Sequence, residues 1–364
     1  MAIKIFHLYS SMRNFSLICF SIFSLNVFAQ IGGTGTYNFI NLPATPRITA
    51  TGGNLITVMD DDPGLGFVNP ALLNPSMDNK VTANSAIYFS GINFGYAGYT
   101  RHWDDIGTFQ GGIQYISYGR FSQRDETGVE NGSFSASEYN INVGGSRQYD
   151  EKYSYGANVK MLISSMGGGY TSLGTALDLA AAYNDSSKYF TATLLVKNIG
   201  FQFLAYEGSN REPLPFDIQL GFSKRFKKLP FRISVVYHNL HRFNLRYEND
   251  LQTEQPLFGE EETESKAGIF FDNLMRHFIV GGELTIAKVV RIGFGYNHQL
   301  RQSMSFESKR GLTGFSFGIG IKIKQFDFGF ARGRYHLAGA VNHFSVGINL
   351  NKFTKTRAAK NGNE

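Results

Sequence analysis

The chain has 364 residues, 35 basic against 29 acidic side chains, 41 glycines, 15% aromatic residues and one cysteine. That cysteine, Cys19, falls inside an apparent leader, so the exported chain has no thiol; Cys nucleophiles, Cys-ligated zinc and iron–sulfur clusters are excluded. The positive excess is mild and spread over strand ends and loops, which argues against a nucleic-acid binder.

Residues 1–29 read as a signal peptide. Lys4 and Arg13 supply charge, an apolar stretch runs from Phe15 to Phe28, and Val27-Phe28-Ala29 offers a cleavage point. Cleavage there leaves 33 basic against 29 acidic residues, a net charge near +4. Residues 30–80 are rich in Gly, Pro, Thr and Asn, carry Asp60-Asp61-Asp62-Pro63, and lack strong alternation. Leu42, Ile48, Leu55, Ile56, Val58, Phe67, Leu72 and Leu73 give this stretch apolar surface that a disordered linker would not have. It reads as a hatch or plug.

From residue 81 to residue 350 the pattern changes to period two. Leu312 to Lys324 is its clearest stretch: Phe315, Phe317, Ile319, Ile321 and Ile323 fall on one face of a strand, and Gly314, Ser316, Gly318, Gly320 and Lys322 on the other. About fourteen such runs are found, near 81–90, 92–102, 107–118, 135–147, 153–165, 170–184, 189–200, 216–227, 231–242, 276–287, 289–298, 312–324, 325–332 and 342–350. Connections after even-numbered runs are short. Those after the third, seventh, ninth and eleventh are long, at 119–134, 201–215, 243–275 and 299–311. Sorting by parity is expected of a transmembrane antiparallel β-barrel, with short periplasmic turns, long extracellular loops and both termini periplasmic. The fold class is therefore all-β, a barrel of about 14 strands over 81–350 with an N-terminal hatch. Residues 351–364 read as a flexible periplasmic tail, and the localisation as the outer membrane of a Gram-negative bacterium.

Chemical motifs are sparse. Gly314-Phe315-Ser316-Phe317-Gly318 matches a nucleophile elbow, but it lies inside an uninterrupted strand where the required strand–turn–helix is missing. His238 and His241, three apart on a strand, point to opposite faces, while His298, His336 and His343 are expected at the rim. The Asp60–Asp62 run lacks the alternating ligands of a calcium loop and reads as a turn. Gly32-Gly33-Thr34-Gly35 has no strand before it to make a phosphate loop. Arg232, Glu283, Lys322, Lys324 and Asp327 are inward polar positions suited to a lumen network or passage. No catalytic residue, metal or cofactor is expected. In the longest loop, Leu257, Phe258, Phe270 and Phe271 flank an acidic run at Glu260–Glu262 and are candidate partner-binding anchors.

Several short elements in order carry a family resemblance. They are Gly52-Gly53, Asn69-Pro70-Ala71, Val196-Lys197-Asn198-Ile199-Gly200, Pro215-Phe216-Asp217-Ile218, Arg276-His277-Phe278 with Gly282-Glu283, and Gly295-Tyr296-Asn297-His298 with Arg301. In these the chain resembles the PorV/PorQ group of type IX secretion outer-membrane proteins, within the wider FadL-like barrel family. The resemblance implies a non-enzymatic fourteen-stranded barrel in which Asn69, Pro70 and Ala71 belong to the hatch. It also implies an anchor for a PorZ-like surface protein, beside PorU and PorV, in the complex that processes cargo and joins it to lipopolysaccharide. Outer-membrane lipid is the other expected contact. The rival readings are a FadL-like transporter of hydrophobic small molecules and, more remotely, an outer-membrane lipid hydrolase.

Overall fold

The computed structural model describes residues 35–246, 265–303, 311–336 and 339–353. The signal-peptide reading of 1–29, most of the tail, and Leu257 and Phe258 lie outside the described residues.

Fourteen strands close into one antiparallel barrel, each paired with its sequence neighbours and the last with the first. They are β1 (Lys80–Ile87), β2 (Asn93–Trp103), β3 (Gly107–Arg124), β4 (Glu130–Gln148), β5 (Tyr153–Ser165), β6 (Thr171–Asp185) and β7 (Phe190–Leu204). After these come β8 (Asp217–Arg225), β9 (Phe231–Tyr237), β10 (Phe278–Ile286), β11 (Val290–Asn297), β12 (Phe315–Ile323), β13 (Phe326–His336) and β14 (Gly339–Asn349). The seam sets Lys80 opposite Asn349 and Ile87 opposite Asn342. Alternation sorts the faces as expected: Phe315, Phe317 and Ile319 are exposed, whereas Ser316 is buried. Among the described residues no helix is long and apolar enough to cross a membrane. The wall itself is the spanning element.

Two boundaries depart from the sequence reading. The expected loop 119–134 is mostly strand, because β3 and β4 continue past bulges at Ser117/Gly119 and Gln123/Arg124 into a projecting hairpin. Phe121 stacks on Phe134 at 5.4 Å and Arg124 meets Glu130 at 2.9 Å, pairing the ribbon on both faces. In contrast β9 stops at Tyr237 rather than 242: Asn239 takes φ 56°, and its N–H donates to Asp217 Oδ1 at 2.6 Å. The barrel is consequently tall on the β3–β7 side and low at β8–β10.

Residues 35–79 lie inside the barrel. Two short helices, α1 (Pro46–Ala50) and α2 (Pro63–Val68), and 3-10 turns at Pro70–Leu72 and Pro75–Met77 all begin with the same device: a capping side chain followed by proline. Thr45, Asp62, Asn69 and Asn74 accept from the N–H groups of Ile48, Gly64, Ala71 and Ser76. Each proline sits where a free N–H would be wasted. The first described residues lie beside the β7–β8 connection, where Thr36 Oγ1 reaches Tyr206 Oη at 3.5 Å. The chain then descends through the lumen and enters β1 at Lys80, at the short-turn end.

Candidate functional site

Docking of the hatch explains the small inward residues of the wall. Helix α1 and the turn after it press on β11–β13, where a Cβ on Gly295 would overlap the backbone of Thr51 and Gly52, and one on Gly318 would meet Ala50 Cβ at 2.8 Å. Ser316 Oγ donates to Ala50 O and accepts from Gly52 N, each at 3.0 Å. The residue at the centre of the elbow-like motif is thus a docking pin for the hatch. On the opposite wall, Asn69 Nδ2 donates to Ile56 O at 2.7 Å, and Ser154 Oγ donates to Ala71 O at 2.7 Å. Pro70 and Ala71 lie so close to Gly156 that a Cβ there would be 2.6 Å from Pro70 C.

Charge fixes the turn end of the lumen. Arg47 on α1 reaches Asp60 at 2.7 Å, Glu283 of β10 at 2.6 Å and Asp62 at 3.2 Å. Arg232 meets Glu283 at 3.1 Å, and Arg291 lies 3.9 Å from Asp62 and 3.7 Å from Asp327. Asp61 is shared by Lys80, at 2.7 Å, and Lys322. Burial pushes the Asp60 carboxyl up, but the Arg47 guanidinium, with Arg291 and Arg232 behind it, holds it well below the ordinary carboxylate range. The same carboxylates drive Arg47 further up despite its burial. The acidic triplet is therefore the hatch's half of an ion network. Among the described residues no group of three or more His, Cys, Asp or Glu is arranged to hold a metal.

His343 does not lie at the rim. It is fully buried in mid-β14, with Nδ1 2.9 Å from Thr49 Oγ1 of the hatch and Nε2 3.0 Å from Asn84 Oδ1 of β1. His298 is at the loop end, 3.2 Å from Asp272. His238 follows β9 and is buried, which pushes its imidazole down to about 4. Lys324 ends the inward row at the β12–β13 turn, where its carbonyl accepts from Lys352 Nζ.

The wall is interrupted once in a way that bears on passage. Strand β7 pairs with β6 as far as Leu204, but with β8 only from Phe190 to Lys197. Among the described residues no strand pairs with 198–204 on the β8 side. The interruption is set by Asn198, whose φ of 59° is tolerated by a short amide side chain, opposite a register shift at Leu177/Leu179. A buried polar lock holds it. Asn198 N donates to Asp178 Oδ1 at 2.8 Å, Lys160 Nζ lies 2.6 Å from Asp178 Oδ2 and 2.8 Å from Asn198 Oδ1, and Asn198 Nδ2 donates to Pro215 O at 2.7 Å.

Beside this lock the hatch and the wall share an apolar cluster. Tyr37, Phe39 and Ile40 of the hatch pack with Phe94, Ile116 and Leu162 of the wall, and Leu214 of the β7–β8 connection joins them. Val196–Gly200, one of the elements of the family resemblance, forms this break. A polar Lys-Asn pair interrupting the inward alternation was the available signal. Of the candidate anchors, Phe270 and Phe271 are exposed, on a helix above β10.

A closed fourteen-stranded barrel with an apolar outer belt is an outer-membrane protein fold. Solved structures similar to it include a transporter, a FadL homologue and a channel, all at low identity. The toluene transporter TodX of Pseudomonas putida has a TM-score of 0.48 at 12% identity, over 84% of this chain and 96% of that one. A FadL homologue of Pseudomonas aeruginosa gives 0.46 at 11% identity, over 84% and 98%. The monoaromatic hydrocarbon channel CymD gives 0.46 at 11%, over 84% and 96%. No family model and no curated protein matches the sequence.

Proposed function

We propose that this barrel passes small hydrophobic molecules through the outer membrane, with the hatch as its gate and the gap between β7 and β8 as the side exit toward lipid. The long connections face outward and the turn end faces the periplasm. The observation that carries this reading is the unpaired upper edge of β7 at Asn198, which opens beside the apolar chamber where Phe39, Ile40 and Leu214 meet. A barrel that only anchors a partner gains nothing from an interrupted wall. An apolar chamber is likewise unneeded in a water-filled lumen, whereas a hydrophobic passenger needs both surfaces in contact. The hatch side chains Phe39 and Ile40 fill the chamber as a passenger would, so passage requires their displacement.

The anchoring role beside PorZ-like, PorU and PorV partners rests on the sequence resemblance to the PorV/PorQ group. Of the residues behind that resemblance, Asn69–Ala71 belongs to the hatch, as the resemblance implies, and Val196–Gly200 shapes the break. The test is uptake of labelled long-chain fatty acid and toluene by a Gram-negative host that lacks its own hydrophobic channel. The native barrel should confer uptake, and deletion of Asn198, which restores an unbulged strand, should abolish it while the barrel remains folded and heat-modifiable. Uptake that survives the deletion refutes the side exit. A native barrel that confers none, yet co-purifies with a surface protein, refutes transport altogether.

A further inference from the structure

The helix above β10, α3 (Lys266–Arg276), is built inside out. Ser265 caps it, accepting from Gly268 N at 3.1 Å. Its protein-facing side is polar. Asp272 bonds Arg276 at 2.8 Å and His298 at 3.2 Å, Asn273 Oδ1 accepts from Leu245 N at 3.3 Å, and Asn273 and Arg276 are buried. Its outward side is apolar: Phe270, Phe271 and Met275 are exposed, Phe271 at 61%. A helix on a water-facing surface shows the opposite arrangement.

Position suggests what covers it. Strands β8, β9 and β10 have nine, seven and nine residues, against eighteen and nineteen for β3 and β4. A tilted strand needs about 9–11 residues to cross the hydrocarbon layer, so β9 falls short. Above that low sector ring contacts run from Phe278 on β10 to Tyr237 at 5.0 Å, through His277 to Phe243, then from Phe243 to Phe270 at 5.5 Å and on to Phe271, 5.8 Å further. The outward face of α3 is continuous with the lipid-facing belt, and it lies where the belt is too low.

We propose that α3 is an interfacial helix, its Phe270, Phe271 and Met275 face embedded among outer-leaflet acyl chains, completing the hydrophobic belt over β8–β10. This holds whether or not the barrel transports. It replaces a protein partner with lipid as the occupant of Phe270 and Phe271.

Because Cys19, within the leader, is the only cysteine, one introduced cysteine in the exported chain allows single-site labelling. An environment-sensitive fluorophore is placed at Phe271→Cys or at Met275→Cys as a second site, in nanodiscs containing lipids brominated on their acyl chains. References are Ile319→Cys on the lipid face of β12 and Glu126→Cys at the tip of the β3–β4 hairpin. The expected result is blue-shifted emission and quenching at both helix sites, matching Ile319 and unlike Glu126. Unquenched, red-shifted emission at both sites overturns the proposal. So does a label that is unquenched in nanodiscs yet shielded from a water-soluble quencher in whole outer membranes, which would assign the face to a protein partner.

Discussion

Arg47→Met tests the ion network directly. Arg47 and Glu283 are 8% and 3% exposed at their side chains, and removing the guanidinium leaves Asp60, Asp62 and Glu283 facing only Arg232 and Arg291. Breaking a buried pair from one side costs about 3–5 kcal/mol, because the remaining charge keeps its desolvation penalty. At about 1.4 kcal/mol per tenfold, the undocked hatch should become on the order of 10²- to 10³-fold more populated. Single-channel recording in a planar bilayer reads this as more frequent ion-conducting openings. Limited proteolysis reads it as faster cleavage within residues 35–79 with the strands intact. The combined variant Arg47→Met/Glu283→Gln removes one charge of each sign, leaving Asp60 beside Arg232 and Asp62 beside Arg291, and should recover most of the loss. If Arg47→Met opens no more often than the native protein, the network does not hold the hatch. If the combined variant is as leaky as the single one, the loss is of packing and not of charge.

The Asp60 carboxyl is held low by Arg47, so its contribution is full above the unfolded value of about 4 and is lost as pH falls through the lower folded value. Opening frequency should therefore stay flat from about pH 8 to about pH 5 and rise only in stronger acid; a rise near neutrality would refute this assignment. His238 behaves differently. Burial lowers it to about 4, so the unfolded state takes up its proton first and stability should fall between about pH 6.5 and 4, by at most about 3 kcal/mol. His238→Asn should flatten that limb of a denaturation series. Ser316→Ala should cost about 1 kcal/mol of hatch docking, because its bonds to Gly52 N–H and Ala50 O are lost while Gly52 N–H keeps Thr49 O at 3.3 Å. Loss of a hydrolytic activity instead would make Ser316 a nucleophile. Gly295→Val should expel the turn after α1, and proteolysis equal to native would show that the space had been misjudged.

The barrel was legible in the sequence because lipid imposes alternation on every strand, and Phe315, Phe317 and Ile319 obey it. Strand ends were less so. The β3–β4 hairpin beyond Gly119 has Ser and Arg where the membrane no longer demands apolar residues, and β9 was overrun because nothing in the local residues marks the turn that Asn239 makes at φ 56°. The hatch was visible as a change of composition, but its partners were not. Arg47 and Glu283 are 236 positions apart, and nothing local marks either as half of a pair. His343 was misplaced for the same reason: a polar residue near a chain end looks like rim until a plug is set against it.

His343 touches three separate pieces of chain at once. Its own strand is the last, Asn84 is on the first, and Thr49 belongs to the segment threaded through the middle. The ring of strands can be closed in register only by bringing β14 against β1, and Lys80, the first residue of β1, is already tied to Asp61 of the hatch. The seam of the wall and the seat of the stopper thus share one side chain, so a change at His343 should loosen both together.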